Sequence, residues 1–120
     1  MEIRLSKNGN DIYLMKLSGS LDLYSSNELK YLFMKMIVNQ AERFIICLKE
    51  IDSINSAGIG ALIYISSTLK KLNCPIVILA GEGPALKALE MTRLKGYFSI
   101  VQTLKEAVSL LPILMKHNGV

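Results

Sequence analysis

The segment Ile54-Asn55-Ser56-Ala57-Gly58-Ile59-Gly60 sets a serine hydroxyl between an apolar strand-like run, Phe44 to Leu48, and an apolar helical run, Leu62 to Leu72. That order places Ser56 at the start of a helix, on an exposed loop. A hydroxyl there has two uses. It can cap the helix by accepting a backbone N–H, a contribution of about 1 kcal/mol. It can also take a phosphoryl group, which brings roughly −1.5 to −2 charges and several strong acceptor oxygens. The free N–H groups and dipole of a helix N-terminus tolerate such an anion. The two uses overlap, because a capping serine can also be a phosphoacceptor. Upstream, Asp22 follows Gly19-Ser20-Leu21 and reads locally as a solvated or capping carboxylate at a strand end.

The elements that position these residues are well punctuated. Ile3 and Leu5 alternate with polar residues, Asn8-Gly9 supplies a turn, and Ile12 to Leu17 forms a second strand, so the chain opens with a β-hairpin. Ser25-Ser26-Asn27-Glu28 has the S-x-x-E form of a capping box, and Leu29, Leu32, Phe33, Met36 and Ile37 continue it at helical spacing. Arg43 to Leu48 is a continuous apolar strand of the kind buried on both faces. Gly58, Leu62, Ile65, Leu69 and Leu72 mark the inward face of a second helix, which Asn73 ends.

Ile76 to Ala80 is a further buried strand, and Gly81-Glu82-Gly83-Pro84 turns the chain into a short third helix through Leu86 and Leu89. Phe98 to Val101 makes a brief last strand, and Thr103-Leu104-Lys105-Glu106 is a second capping box opening a final helix. The order β-β-α-β-α-β-α-β-α predicts an α/β fold. Its mixed sheet has parallel crossovers and an antiparallel first strand. Residues 1–111 make one domain. The tail 112–120, beginning Pro112-Ile113-Leu114-Met115-Lys116, is apolar after a proline, and the pattern leaves its structure open.

Composition excludes several classes. Of 120 residues, 51% are hydrophobic and 20% charged, as in a compact globular domain and unlike a disordered chain. The start Met1-Glu2-Ile3-Arg4-Leu5 has no apolar signal core, and the longest apolar run, Ala57 to Ile65, is short of the roughly 20 residues that span a bilayer. A soluble, cytoplasmic protein is expected, with Cys47 and Cys74 reduced and largely buried. His117 is the only histidine, so neither a metal site nor a Ser-His-Asp triad has its residues. The net charge of +4 is dispersed, with Lys70-Lys71 the only adjacent basic pair, which argues against a nucleic-acid surface.

With these motifs in order, the chain resembles the STAS domains, named for sulphate transporters and anti-sigma factor antagonists, over roughly residues 1 to 111. Gly19-Ser20-Leu21-Asp22 is similar to the family's G-x-L-D element. Asn55-Ser56-Ala57-Gly58-Ile59-Gly60 is similar to its D-S-[SA]-G-[LI]-G loop and helix start, and Gly81 matches a strand-end glycine. The resemblance implies a stand-alone anti-sigma factor antagonist with no enzymatic activity and no cofactor. Its implied partner is an anti-sigma factor that is also a serine kinase of the histidine-kinase-like ATPase type, with a phosphatase that resets the switch. Ser56 matches the phosphoacceptor and Asp22 an acidic residue close to it. Asn55, Ala57, Gly58, Ile59 and Gly60 make up the rest of the phosphosite and partner surface, which Tyr24 and Met34 can extend. Gly58 is expected to permit close backbone approach, and Gly60 to let the helix pack tightly on the sheet.

One departure stands out. The family usually has aspartate before the serine, and here it is Asn55, which keeps the capping shape but removes a charge. That leaves a second reading within the fold, a phosphorylation-independent STAS scaffold or regulatory subunit. A nucleotide- or anion-binding domain at the Ser56 helix start is the reading from another class. The chain lacks a G-x-x-x-x-G-K-[ST] cradle, and Gly81-x-Gly83 alone is a weak phosphate signal.

Overall fold

The computed structural model describes residues 1–8, 11–39 and 41–118. β1 (Glu2–Lys7) and β2 (Ile12–Leu21) pair antiparallel as the expected hairpin, with Ile3 opposite Leu17 and Lys7 opposite Tyr13. The Asn8-Gly9 turn lies partly outside the described residues, as does the side chain of His117. Then follow α1 (Leu23–Val38), β3 (Arg43–Ile54), α2 (Ser56–Lys71), β4 (Ile76–Leu79), α3 (Pro84–Met91), a 3-10 turn at Lys95–Tyr97, β5 (Ile100–Val101) and α4 (Leu104–Asn118). The five strands form one sheet in the order β1-β2-β3-β4-β5, with β2 to β5 parallel to one another. This is the α/β architecture that the element order implied.

The core explains why the strands read as unbroken apolar runs. Phe44, Ile46 and Leu48 face one side of the sheet with Met15, Leu17, Ile76 and Ile78, beneath α1, α2 and α3. Ile45 and Cys47 face the other with Ile12, Val77, Leu79 and Val101, beneath Ala107 and Leu111 of α4. Both faces of β4 and of the Phe44–Leu48 stretch of β3 are therefore dry. Each large side chain removed from water there contributes about 1.5–3 kcal/mol.

Several boundaries differ from the sequence reading. β2 and β3 run past Leu17 and Leu48 through polar residues, pairing Ser20 with Ser53 and Leu21 with Ile54. α1 begins before the expected capping box, and Ser25 and Ser26 lie buried in its first turn. The cap is Asp22, whose Oδ1 accepts the Ser25 N–H at 3.1 Å while Ser25 Oγ accepts the Asp22 N–H at 2.8 Å. That reciprocal pair satisfies two otherwise orphaned donors, which a cap at Ser25 would not do better. Thr103 caps α4 as expected, the Glu106 N–H donating to Thr103 Oγ1 at 3.1 Å, while Glu106 Oε1 accepts from the Thr103 hydroxyl at 3.1 Å where a full box would bond the Thr103 N–H. Leu72 is the C-cap of α2 and is half exposed instead of inward. α4, Leu104–Asn118, continues through Pro112, where the sequence pattern left the structure open.

Candidate functional site

β2 and β3 end side by side, and each turns into a helix through a single capping residue. Leu21 is in register with Ile54, and Ser53 Oγ donates to Ser20 Oγ at 3.0 Å across the same step. The next residue of each strand, Asp22 or Asn55, is the N-cap of α1 or α2. Two helix N-termini thus emerge together from neighbouring parallel strands. The register brings Asp22 and the Asn55-to-Gly60 segment to one edge of the sheet.

Asn55 supplies the cap that the sequence reading allowed to Ser56. Its side-chain oxygen accepts the Gly58 N–H at 3.1 Å, and its carbonyl accepts the Ile59 N–H at 3.0 Å. Ser56 is therefore the first residue inside α2 and not its cap. Asn ranks with Asp and Ser among the best capping residues, so the amide one position earlier takes the role. The Ser56 side chain is exposed, and its hydroxyl makes no hydrogen bond among the described residues.

Gly58 is buried against the end of β2. A Cβ there would lie 2.6 Å from the Leu21 carbonyl oxygen and 2.8 Å from Ile54 Cγ1. This is the close approach expected of it. Gly60 has no such reason to be glycine, because a Cβ on it meets nothing within 4 Å. The tight helix-to-sheet packing expected at Gly60 is absent: two residues further along α2, it points to the solvent side. Ala57 is half-buried and Ile59 is buried.

The N–H and the hydroxyl of Ser25 hold the Asp22 carboxyl below the usual carboxylate value. The one Ser25 hydroxyl proton is shared between Asp22 Oδ1 at 3.0 Å and the Ser20 carbonyl at 2.8 Å. Asp22 is consequently a fixed negative charge at the edge where Ser56 sits. The first turn of α2 itself carries no acidic residue.

An open cleft of about 410 Å³ runs between α2 and α3 from this edge. Ile54, Ile59, Ile63, Ala88 and Met91 line it, and Ser56 stands on its rim. Met91 is 85% exposed. The sequence reading did not single out Ile63, Ala88 or Met91. The available signal was their absence from the inward stripes of α2 and α3, but placing them at Ser56 requires the packing of the two helices. Tyr24 and Met34 are exposed on α1, Met34 at 40% where its type reads as semi-buried filler.

Among the described residues no group of three or more His, Cys, Asp or Glu side chains lies close enough to hold a metal ion. Cys47 and Cys74 are free thiols, the first buried and the second partly so, and burial pushes the Cys74 thiol up. No described helix is long and apolar enough to cross a membrane.

A mixed sheet with three helices on one face, one on the other, and paired helix N-termini at one edge defines the class of fold. The STAS domain profile matches residues 3–107, and the chain belongs to the STAS domain family. An anti-sigma factor antagonist from Mycobacterium paratuberculosis superposes with a TM-score of 0.83 at 16% identity, over 92% of this chain and 93% of that one. The anti-sigma factor antagonist SpoIIAA in its unphosphorylated form gives 0.69 at 13% identity, over 99% and 100%. SpoIIAA, the Bacillus cell fate determinant, in its phosphorylated form gives 0.69 at 16% identity, over 90% and 97%. At these identities the likeness establishes the shared fold.

Proposed function

We propose that this chain is a bacterial anti-sigma factor antagonist, a regulatory protein of the cytoplasm that is switched at Ser56. In its unphosphorylated form it binds an anti-sigma factor that is also a serine kinase of the histidine-kinase-like ATPase type. The kinase then phosphorylates Ser56, the complex separates, and a phosphatase restores the hydroxyl. The observation that carries this reading is the Ser56 hydroxyl itself: exposed, unbonded among the described residues, and at the first position of a helix that another residue caps.

In the transfer step, Ser56 Oγ bonds to the γ-phosphorus of ATP and the bridging bond to the β-phosphate breaks. The hydroxyl proton passes to a base on the kinase, and ADP leaves. Within the domain, the new dianion sits at the N–H end of α2, where the helix dipole favours it. Across a docked interface the same group is a desolvated charge, and it ejects a partner built for a neutral hydroxyl. Asp22 sharpens that effect by like-charge repulsion. Asn55, Ala57, Gly58, Ile59 and Gly60 complete the contact surface, and the apolar cleft beside Ser56 offers the kinase a place to bury side chains. That SpoIIAA has been solved in both unphosphorylated and phosphorylated forms supports phosphorylation as a modification this fold carries.

A phosphorylation-independent scaffold is the second reading, favoured by one observation, the amide of Asn55 where a carboxylate is usual. Intact-mass and phosphopeptide analysis of the protein from its native cells, beside Ser56→Ala, separates the two. One phosphate on Ser56, lost in the alanine variant, supports the switch. No phosphate under growth and stress, with the partner still bound, supports the scaffold.

A further inference from the structure

We infer that α1 is a self-association face, through which two copies of the chain pair by antiparallel packing of α1 against α1. This goes beyond the switch at Ser56 and does not depend on it. The helix has two apolar faces. Leu29, Phe33 and Met36 are buried against the sheet. Tyr24, Tyr31 and Val38 are 85%, 65% and 77% exposed and lie seven residues apart, so they form one stripe along the outer side. Met34, 40% exposed and three residues beyond Tyr31, joins it. A single exposed aromatic needs no explanation, but a heptad-spaced seam of three large apolar residues, with Met34 beside it against Tyr64 of α2, is what a pairing helix presents.

The charges beside the seam select the occupant. Glu28 and Lys35 are both exposed, are also seven residues apart, and flank the stripe on the same side. Neither makes an ion pair among the described residues. Lys35 Nζ lies 4.7 Å from the Tyr31 ring centre, which holds its charge at the seam. A twofold axis near Tyr31 would set Glu28 of each copy beside Lys35 of the other, and Tyr24 against Val38. Closed twofold pairing requires such self-complementarity. A parallel pair would set opposite flanks of the two helices together, so Glu28 and Lys35, which share one flank, would not meet. A uniformly acidic partner helix would meet Glu28 unfavourably.

The test is sedimentation equilibrium of the full chain from micromolar to millimolar concentration. The weight-average mass is expected to rise from 13.3 kDa towards twice that value. Glu28→Lys and Lys35→Glu each turn both cross-contacts repulsive and should weaken pairing at least tenfold, while circular dichroism confirms that the surface variants remain folded. An equimolar mixture of the two variants restores opposite charges at both contacts and should associate as the wild type does. A wild-type mass that stays at 13.3 kDa throughout, association unaffected by either reversal, or a mixture that fails to associate would each overturn the proposal.

Discussion

Gly58 rests on Leu21 so closely that a Cβ added to it would lie 2.6 Å from the Leu21 carbonyl oxygen. That oxygen also accepts the Asn55 N–H at 3.3 Å, so the end of β2 is tied to the start of α2 by a hydrogen bond and by bare backbone contact. Gly58→Ala should therefore destabilise the fold by about 1–3 kcal/mol, the overpacking cost exceeding alanine's helical preference. Gly60→Ala, with open space around it, should gain about 0.5–1 kcal/mol. Urea unfolding of the two variants reads the contrast directly. Equal midpoints would show that the Leu21 contact is not what demands glycine.

Capping provides a second contrast, between neighbours. Asn55→Ala loses the bond to the Gly58 N–H and should cost about 1 kcal/mol, while Asn55→Asp keeps it and should change stability little. Ser56→Ala removes an exposed hydroxyl with no bond to lose and should stay within about 0.5 kcal/mol of the wild type. A Ser56→Ala loss as large as that of Asn55→Ala, by thermal unfolding, would return the cap to Ser56.

The framework of this site was legible in the residues because burial writes itself into them. The apolar run at Phe44 to Leu48 announced a strand dry on both faces, and the 3.6-residue stripes announced α1 and α2. Polar residues that pair only with each other left no such mark. Ser20 and Ser53 extend β2 and β3 to the site edge, yet read as loop without knowledge of the register. Competing caps were equally ambiguous. Asp22 and Ser25 both head plausible capping motifs, as do Asn55 and Ser56, and the choice between them is settled by where the strand ends. Met91 and Ile63 entered the site only through the packing of α3 beside α2.

Asp22 gives the site a pH signature. The Ser25 N–H and hydroxyl favour its ionised form, so its folded pKa is depressed. A depressed carboxylate stabilises the fold above its unfolded pKa, and that stability is lost as pH falls through the folded value. The loss thus falls on the acid side of the ordinary aspartate range, and neutral solutions retain it in full. A carboxyl-carbon NMR titration should place the Asp22 midpoint below an unperturbed aspartate. Ser25→Ala removes the hydroxyl but keeps the N–H, so the midpoint should rise only part of the way. An Asp22 midpoint at or above the ordinary value would separate the capping box from its charge.

Charge placed on Ser56 tests whether the fold tolerates what an interface would not. The first turn of α2 carries no acidic residue, and Asn55 is neutral, so the N-terminal dipole there meets no negative side chain of its own helix. An acidic group at the first position of a helix typically contributes about 0.3–1 kcal/mol. The nearby Asp22 carboxylate opposes part of that gain. Ser56→Glu should therefore leave the melting temperature unchanged or slightly raised, and added salt should shrink any gain. A fall corresponding to more than about 1 kcal/mol would mean that the modified domain loosens, so that a partner would leave because its target deforms. An unchanged or raised melting temperature, with kinase binding lost, would place the whole effect in the interface, where a desolvated negative charge replaces a hydroxyl.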